Sequence, residues 1–187
     1  MDNHLDYEIN KELGECYLFM GDLDKAEEYY RKAMSSNGVH ADPYLGLATV
    51  AVQRGNIDDA LVLYRKAASI EACDKSLAGI ALVLMEKGEH EEAFDTLLKA
   101  LDKNPQNMIA THCAVQEAHY LNRLEEVLPC LENFLALESD NRAVRISLVG
   151  CLASLGRQKE AVSHLEEILK INPEDTEAKE LFDALAA

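Results

Sequence analysis

Apolar residues in this chain fall at helical spacing, in short stripes backed by polar faces, and the stripes return at a fixed interval. Tyr44, Leu47, Ala48 and Ala51 occupy i, i+3, i+4 and i+7 of one amphipathic segment; Ala60, Leu63, Tyr64 and Ala67 repeat that spacing in the next. Between them Gly55-Asn56 stops one helix and starts another. The same passage recurs as Gly21-Asp22-Leu23-Asp24-Lys25-Ala26, Gly55-Asn56-Ile57-Asp58-Asp59-Ala60, Gly88-Glu89-His90-Glu91-Glu92-Ala93, Asn122-Arg123-Leu124-Glu125-Glu126-Val127 and Gly156-Arg157-Gln158-Lys159-Glu160-Ala161. Successive copies lie 34, 33, 34 and 34 residues apart. A constant period of this length marks an array of like helix-turn-helix units and leaves no room for a sheet.

The units predicted from this period run Tyr7–His40, Ala41–Cys73, Asp74–Asn107, Met108–Asn141 and Arg142–Asp175, within a single domain over 1–187. The second is one residue short, and the deletion is assigned to the linker near Cys73. Gly21, Gly55, Gly88 and Gly156 are placed where the first helix of each unit ends in a left-handed residue, with Asn122 as the substitute in the fourth. Asp22, Asn56 and Glu89 bring capping or acidic groups to the start of the next helix. Pro129 lies within a second helix, which is expected to start late or bend there. Residues 176–187 form a last helix with Ala178, Leu181, Phe182 and Leu185 inward, covering the end of the array. At the other end Leu5, Ile9, Tyr17 and Met20 are expected on one side of the first helix, with no earlier helix to shield any excess; packing inside the first unit is expected to cover most of it, with self-association as the alternative.

The residues that carry the period resemble the tetratricopeptide repeat (TPR) family. That family's pattern is met by Leu13, Gly14, Tyr17, Gly21, Ala26, Tyr30 and Ala33 in the first unit. Leu47, Ala48, Ala51, Gly55, Ala60, Tyr64 and Ala67 meet it in the second, and Asn104-Pro105 and Asn172-Pro173 supply its linkers. The resemblance covers nearly the whole chain from Tyr7 onward. It implies an all-α right-handed superhelical solenoid of about five units plus the capping helix. It also implies a non-catalytic protein–protein interaction scaffold that holds a peptide or amphipathic helix of a partner in a concave groove lined by the first helices. Groove positions read Lys11, Glu15, Leu18 and Phe19, then Leu45, Thr49, Val52 and Gln53, then Ala78, Leu82, Met85 and Glu86. The fourth unit gives His112, Gln116, His119 and Tyr120, and the fifth Ile146, Gly150, Ala153 and Ser154. From these, Phe19, Leu45, Thr49, Val52, Leu82, Met85, His112, Gln116, His119 and Tyr120 are the candidate partner-binding residues. The chaperone-tail clamp of the family needs Lys, Asn and Arg in the groove. Only Lys11 occurs at a comparable place and Glu15 replaces the amide, so that ligand is not expected. The alternative is a self-assembling scaffold forming a homo-oligomeric platform through the N-terminal repeat, a role illustrated by MamA-like and pilus-assembly members of the family.

Charge narrows the partners. With 34 acidic against 18 basic residues the formal net charge is −16, which disfavours nucleic acid, a polyanion held by Lys and Arg. No segment approaches the ~20 apolar residues of a membrane span. Cys16, Cys73, Cys113, Cys130 and Cys151 are odd in number and irregular in spacing, unlike a disulfide framework or zinc module. They are expected as free thiols in a reducing, cytoplasmic setting, and Met1–Asp6 lacks the basic and apolar regions of a signal peptide. His112 and His119 share a helical face with Cys113 nearby, but seven residues at ~1.5 Å rise separate the imidazoles by about 10 Å, too far for one metal ion. No nucleophile–base pair, phosphate loop or carboxylate dyad stands at a motif spacing. No cofactor, metal or catalytic role is expected.

Overall fold

The computed structural model describes residues 3–36 and 39–186. Met1, Asp2, Asn37, Gly38 and Ala187 lie outside the described residues, and with them both ends of the expected 1–187 domain. Eleven α-helices and no strand occur among the described residues: α1 (Asn3–Phe19), α2 (Leu23–Ser36), α3 (Asp42–Gln53), α4 (Ile57–Ile70), α5 (Asp74–Glu86), α6 (His90–Lys103), α7 (Met108–Leu121), α8 (Leu124–Leu137), α9 (Arg142–Ser154), α10 (Gln158–Ile171) and α11 (Thr176–Ala186). The chain divides into two compact units, Met1–Thr96 and Leu97–Ala187, the division falling inside α6.

Each helix pair turns at a left-handed residue. Gly21, Gly55, Gly88 and Gly156 have φ between 74° and 77°, and Asn122 has φ 56°. At Asn122 the backbone N–H returns to the last turn of α7, within reach of the Ala118 and His119 carbonyls. Side-chain caps recur at α7, α9 and α11, whereas α3 and α5 start at Ala41 and Cys73 without one. The side-chain oxygens of Asn107, Asn141 and Asp175 accept from the backbone N–H of Ala110, Val144 and Ala178 at 3.0, 3.1 and 3.0 Å. At the second helices only part of the expected capping occurs. Asp22 accepts from Lys25 N–H at 3.2 Å, whereas the Asn56 side chain makes no cap bond at the start of α4. The shortened interval falls in the linker after α4: 71–73 joins α4 to α5, while 104–107, 138–141 and 172–175 join the later pairs.

The expected late start at Pro129 does not occur. Helix α8 begins at Leu124, and Pro129 sits inside it. Buried Val127, Leu128, Leu131, Phe134 and Leu135 hold the helix against its neighbours despite the missing N–H donor.

In the first unit α1 packs on α2, α2 on α3, α3 on α4 and α4 on α5, while α3 also meets α1 and α5. Small residues make this approach close. Ala48, Ala60 and Ala67 are fully buried beside Tyr64, and Ala26 and Ala33 beside Tyr30. Tyr30 lies against two glycines: a Cβ at Gly14 would stand 2.8 Å from its ring, and one at Gly46 would also fall inside the 3.0 Å that real Cβ atoms keep. Burial there pushes the Tyr30 hydroxyl up to about 12. Charged side chains link successive hairpins over this core. Arg54, after α3, pairs with Asp24 and Glu27 of α2, and Lys87, after α5, pairs with Asp58 of α4.

The second unit repeats the scheme, with α7 on α8, α8 on α9, α9 on α10, α10 on α11, and α7 also meeting α9. Its core includes Leu131, Phe134, Leu148, Leu152, Leu165 and Ala178. Helix α11 is fastened by Arg142, which donates Nε to Asp175 Oδ2 and Nη2 to Asp175 Oδ1 (2.9 Å) and Glu177 Oε2 (2.6 Å).

Candidate functional site

The candidate residues sit on α1, α3, α5 and α7, the first helices of their hairpins, and divide between the two units. In the first unit Phe19 is 94% exposed at the end of α1, while Val52 and Leu82 are 38% and 41% exposed on α3 and α5. Leu45 and Met85 are half-buried and pack against the cluster formed by Ala48, Tyr64, Val83 and Leu84, so each faces both core and surface. Leu18 is likewise drawn onto the Tyr30 cluster, and Ala78, expected in the groove, is buried. Tyr17 is covered within its own hairpin: it packs against the Tyr30 cluster and its ring stacks on Tyr29 of α2 at 5.3 Å. Leu5, Ile9 and Met20 remain exposed.

Thr49 has an internal task. Its hydroxyl donates to the Leu45 carbonyl at 3.0 Å and lies 3.3 Å from the Tyr64 hydroxyl. With the threonine proton engaged, Tyr64 is the donor of that second bond. The Tyr64 ring is thereby fixed as the floor of a cavity of about 560 Å³, walled by Val52, Ile57, Leu82 and Val83 and bordered by Glu86. Nothing at the level of periodicity distinguishes this cavity from the surrounding groove positions. It depends on Gly79, where a Cβ would enter the Tyr64 ring. An apolar recess with one carboxylate at its edge suits the burial of a side chain from an incoming segment.

In the second unit His112, Gln116, His119 and Tyr120 are all exposed on α7, together with Met108 and Ile109. Sequence reasoning placed neither of the last two in the site, although their apolar character at the start of α7 was available as a signal. Behind this face Cys113 is buried, and its thiol is pushed up by burial and, secondarily, by the Glu117 carboxylate. Among the described residues no group of three His, Cys, Asp or Glu side chains could hold a metal ion. Lys11 lies 2.8 Å from the Glu8 carboxylate, so it is already paired within α1. All five cysteines are free thiols. No described helix is long and apolar enough to cross a membrane.

Repeated helix hairpins with small-residue contacts and exposed first-helix faces define a helical repeat protein of the interaction-scaffold type. Three tetratricopeptide repeat models match, over residues 7–70, 45–107 and 119–185, and the chain belongs to that family. Among curated relatives, the BBSome complex member BBS4 of Bos taurus is 29% identical over 106 residues, covering 56% of this chain and 20% of that protein. The chain thus spans about a fifth of that relative's length. Among solved structures, PilF of Pseudomonas aeruginosa superposes with TM-score 0.75 at 20% identity, covering all of this chain and 85% of PilF. YrrB, described as a TPR protein with an unusual peptide-binding site, gives TM-score 0.65 at 17% identity over 91% of this chain and 89% of its own. At these identities the superpositions speak for the fold. The fold supports a protein–protein interaction scaffold.

Proposed function

We propose that this protein is a non-catalytic scaffold that docks a peptide or amphipathic helix of a protein partner on the exposed faces of its first helices. The observation that carries the reading is the Val52–Leu82 recess of the first unit: two partly exposed aliphatic side chains flank an apolar cavity that the core does not fill. Phe19, Leu45, Thr49 and Met85 extend or support that surface. His112, Gln116, His119 and Tyr120 offer a second, more polar contact on α7. The peptide-binding site reported for YrrB is consistent with such use of the fold.

The test is photo-crosslinking from position 82 in the native source to identify the partner, followed by affinity measurements with two sets of variants. Leu82→Lys and Tyr120→Glu should weaken binding tenfold or more, about 1.4 kcal/mol. Glu28→Lys and Glu92→Lys, on second helices, remove exposed ion pairs to Lys32 and Arg65 that are worth only about 0–1 kcal/mol. Loss of binding in the second set alone, with helical content unchanged, would refute the assignment.

A second reading, self-assembly through α1, is favoured by Leu5 and Ile9, 59% and 47% exposed on one side of that helix. Light scattering that shows a stable oligomer dispersed by Leu5→Glu would favour it over the monomeric scaffold.

A further inference from the structure

The recess in the first unit is chemically lopsided. Its floor is the Tyr64 ring laid on Gly79, its walls are Val52, Ile57, Leu82 and Val83, and Glu86 stands at its border. The only polar atom of the floor residue's side chain, the Tyr64 hydroxyl, is taken by Thr49. A guest that enters therefore meets mostly hydrocarbon, with the backbone of Gly55 and Gly79 and a single charged side chain, the Glu86 carboxylate.

The Glu86 carboxylate is the one charged side chain of the lining, and the cations next to lining residues in sequence are paired elsewhere. Lys87, adjacent to Glu86 in sequence, is paired with Asp58. Arg54, which precedes the lining residue Gly55, is held by Asp24 and Glu27. Among the described residues Glu86 has no ion pair of its own, and it is exposed. The chain as a whole carries a formal charge of −16, so an acidic segment approaching this face meets repulsion and a basic one attraction.

From this we infer that the Val52–Leu82 recess takes a bulky apolar side chain from a partner segment in which a lysine or arginine lies close by in sequence, the cation meeting Glu86 as the side chain seats on Tyr64. This rests on the docking reading given above and specifies the partner's chemistry. A cavity of about 560 Å³ is in the range of sites that hold small ligands, which gives room for an aromatic or branched aliphatic side chain with part of its neighbour. Burial of such an anchor supplies affinity, and the carboxylate selects which flanking charge is tolerated.

The experiment is selection of random peptides of about a dozen residues, displayed on phage, against the immobilised full chain, followed by fluorescence anisotropy with the selected peptides. The wild type should enrich peptides with Leu, Ile, Phe or Met adjacent or next but one to Lys or Arg. Leu82→Ala and Val52→Ala, both at partly exposed positions and checked by circular dichroism, should each weaken the selected peptide tenfold or more. Glu86→Lys should weaken it severalfold and should restore binding to the same peptide carrying Glu in place of its cation. If peptides are enriched and bind but are indifferent to residues 52, 82 and 86, docking occurs elsewhere and the recess assignment fails alone. If acidic peptides are enriched, or Glu86→Lys leaves the charge preference unchanged, the charge assignment fails. If nothing is enriched, the docking reading fails together with this inference.

Discussion

The ring of Tyr64 occupies the space that a side chain at Gly79 would need: a Cβ there would fall under 3.0 Å from Cε1, Cδ1 and Cζ. The two residues belong to successive hairpins, so this contact sets how closely α5 approaches α4, and it also forms the floor of the recess.

Gly79→Ala should therefore destabilise the first unit by roughly 1–3 kcal/mol, the usual cost of overpacking a tight contact. Gly150, inside α9, is the control, since a Cβ there meets nothing within 4 Å. Gly150→Ala should stabilise its helix by up to about 1 kcal/mol, the difference in helix propensity. Urea denaturation followed by far-ultraviolet circular dichroism reads both. A neutral Gly79→Ala would mean that the Tyr64 ring is free to move.

The period announced the helix pairs and their turns because each turn depends on local backbone chemistry: a left-handed residue at 21, 55, 88, 122 or 156 is needed whatever surrounds it. The close contacts were less accessible. Gly14 and Gly46 both lie against Tyr30, yet they are 32 residues apart and occupy different helices, so their partnership is visible only when α1, α2 and α3 are placed together. The same limit applies to the candidate surface. The family resemblance assigned Leu45, Val52, Leu82 and Met85 to a groove by their positions in the repeat, but not the depth at which each sits. Leu45 and Met85 turn partly inward and pack against the cluster of Ala48, Tyr64 and Leu84. Asn56 shows the opposite case, a residue well suited to capping whose side chain makes no cap bond.

Asp175 ties acid stability to the last helix. Hydrogen bonds from Arg142, and secondarily from the Ala178 backbone N–H, lower its carboxyl to about 2, well below the ordinary carboxylate range. A folded-state value below the unfolded one gives stability that is present above the unfolded value near 4 and lost as the pH falls through about 2. Asp175→Asn keeps an oxygen to cap Ala178 but removes the charge that meets Arg142. Between about pH 4 and 2 the wild type should thus lose more stability than Asp175→Asn, as read by acid titration of thermal unfolding. Parallel profiles would show that the pair adds nothing to folding.

Thiol reactivity should order the cysteines by burial. Cys16 is exposed, whereas Cys113 and Cys151 are buried, and burial raises the Cys151 thiol to about 11. The reactive species is the thiolate, so alkylation at pH 8 should label Cys16 first and Cys151 only on unfolding. Mass spectrometry of the modified peptides gives the order. Rapid labelling of Cys151 in the folded protein would show that the second unit opens locally.

Pro129 offers a way to strengthen the second unit. As the sixth residue of α8 it lies beyond the first turn, where the lack of an N–H would cost nothing. There it deprives the Glu125 carbonyl of its usual donor and crowds it with the ring, a combination that costs about 3 kcal/mol or more in an unconstrained helix. The corresponding positions of α2, α4 and α10 hold Glu28, Val62 and Ser163, each with an N–H to give and a side chain at the surface. Pro129 is itself exposed, so its ring fills no core space that a smaller residue would leave empty. Pro129→Ala should restore the hydrogen bond and raise stability, with the gain reduced by the greater freedom of the unfolded chain. A net increase of roughly 2 kcal/mol is expected on these opposing effects, measurable as a higher midpoint in thermal or urea unfolding. An unchanged or lower midpoint would show that α8 has already relaxed around the proline and that the missing hydrogen bond costs nothing there.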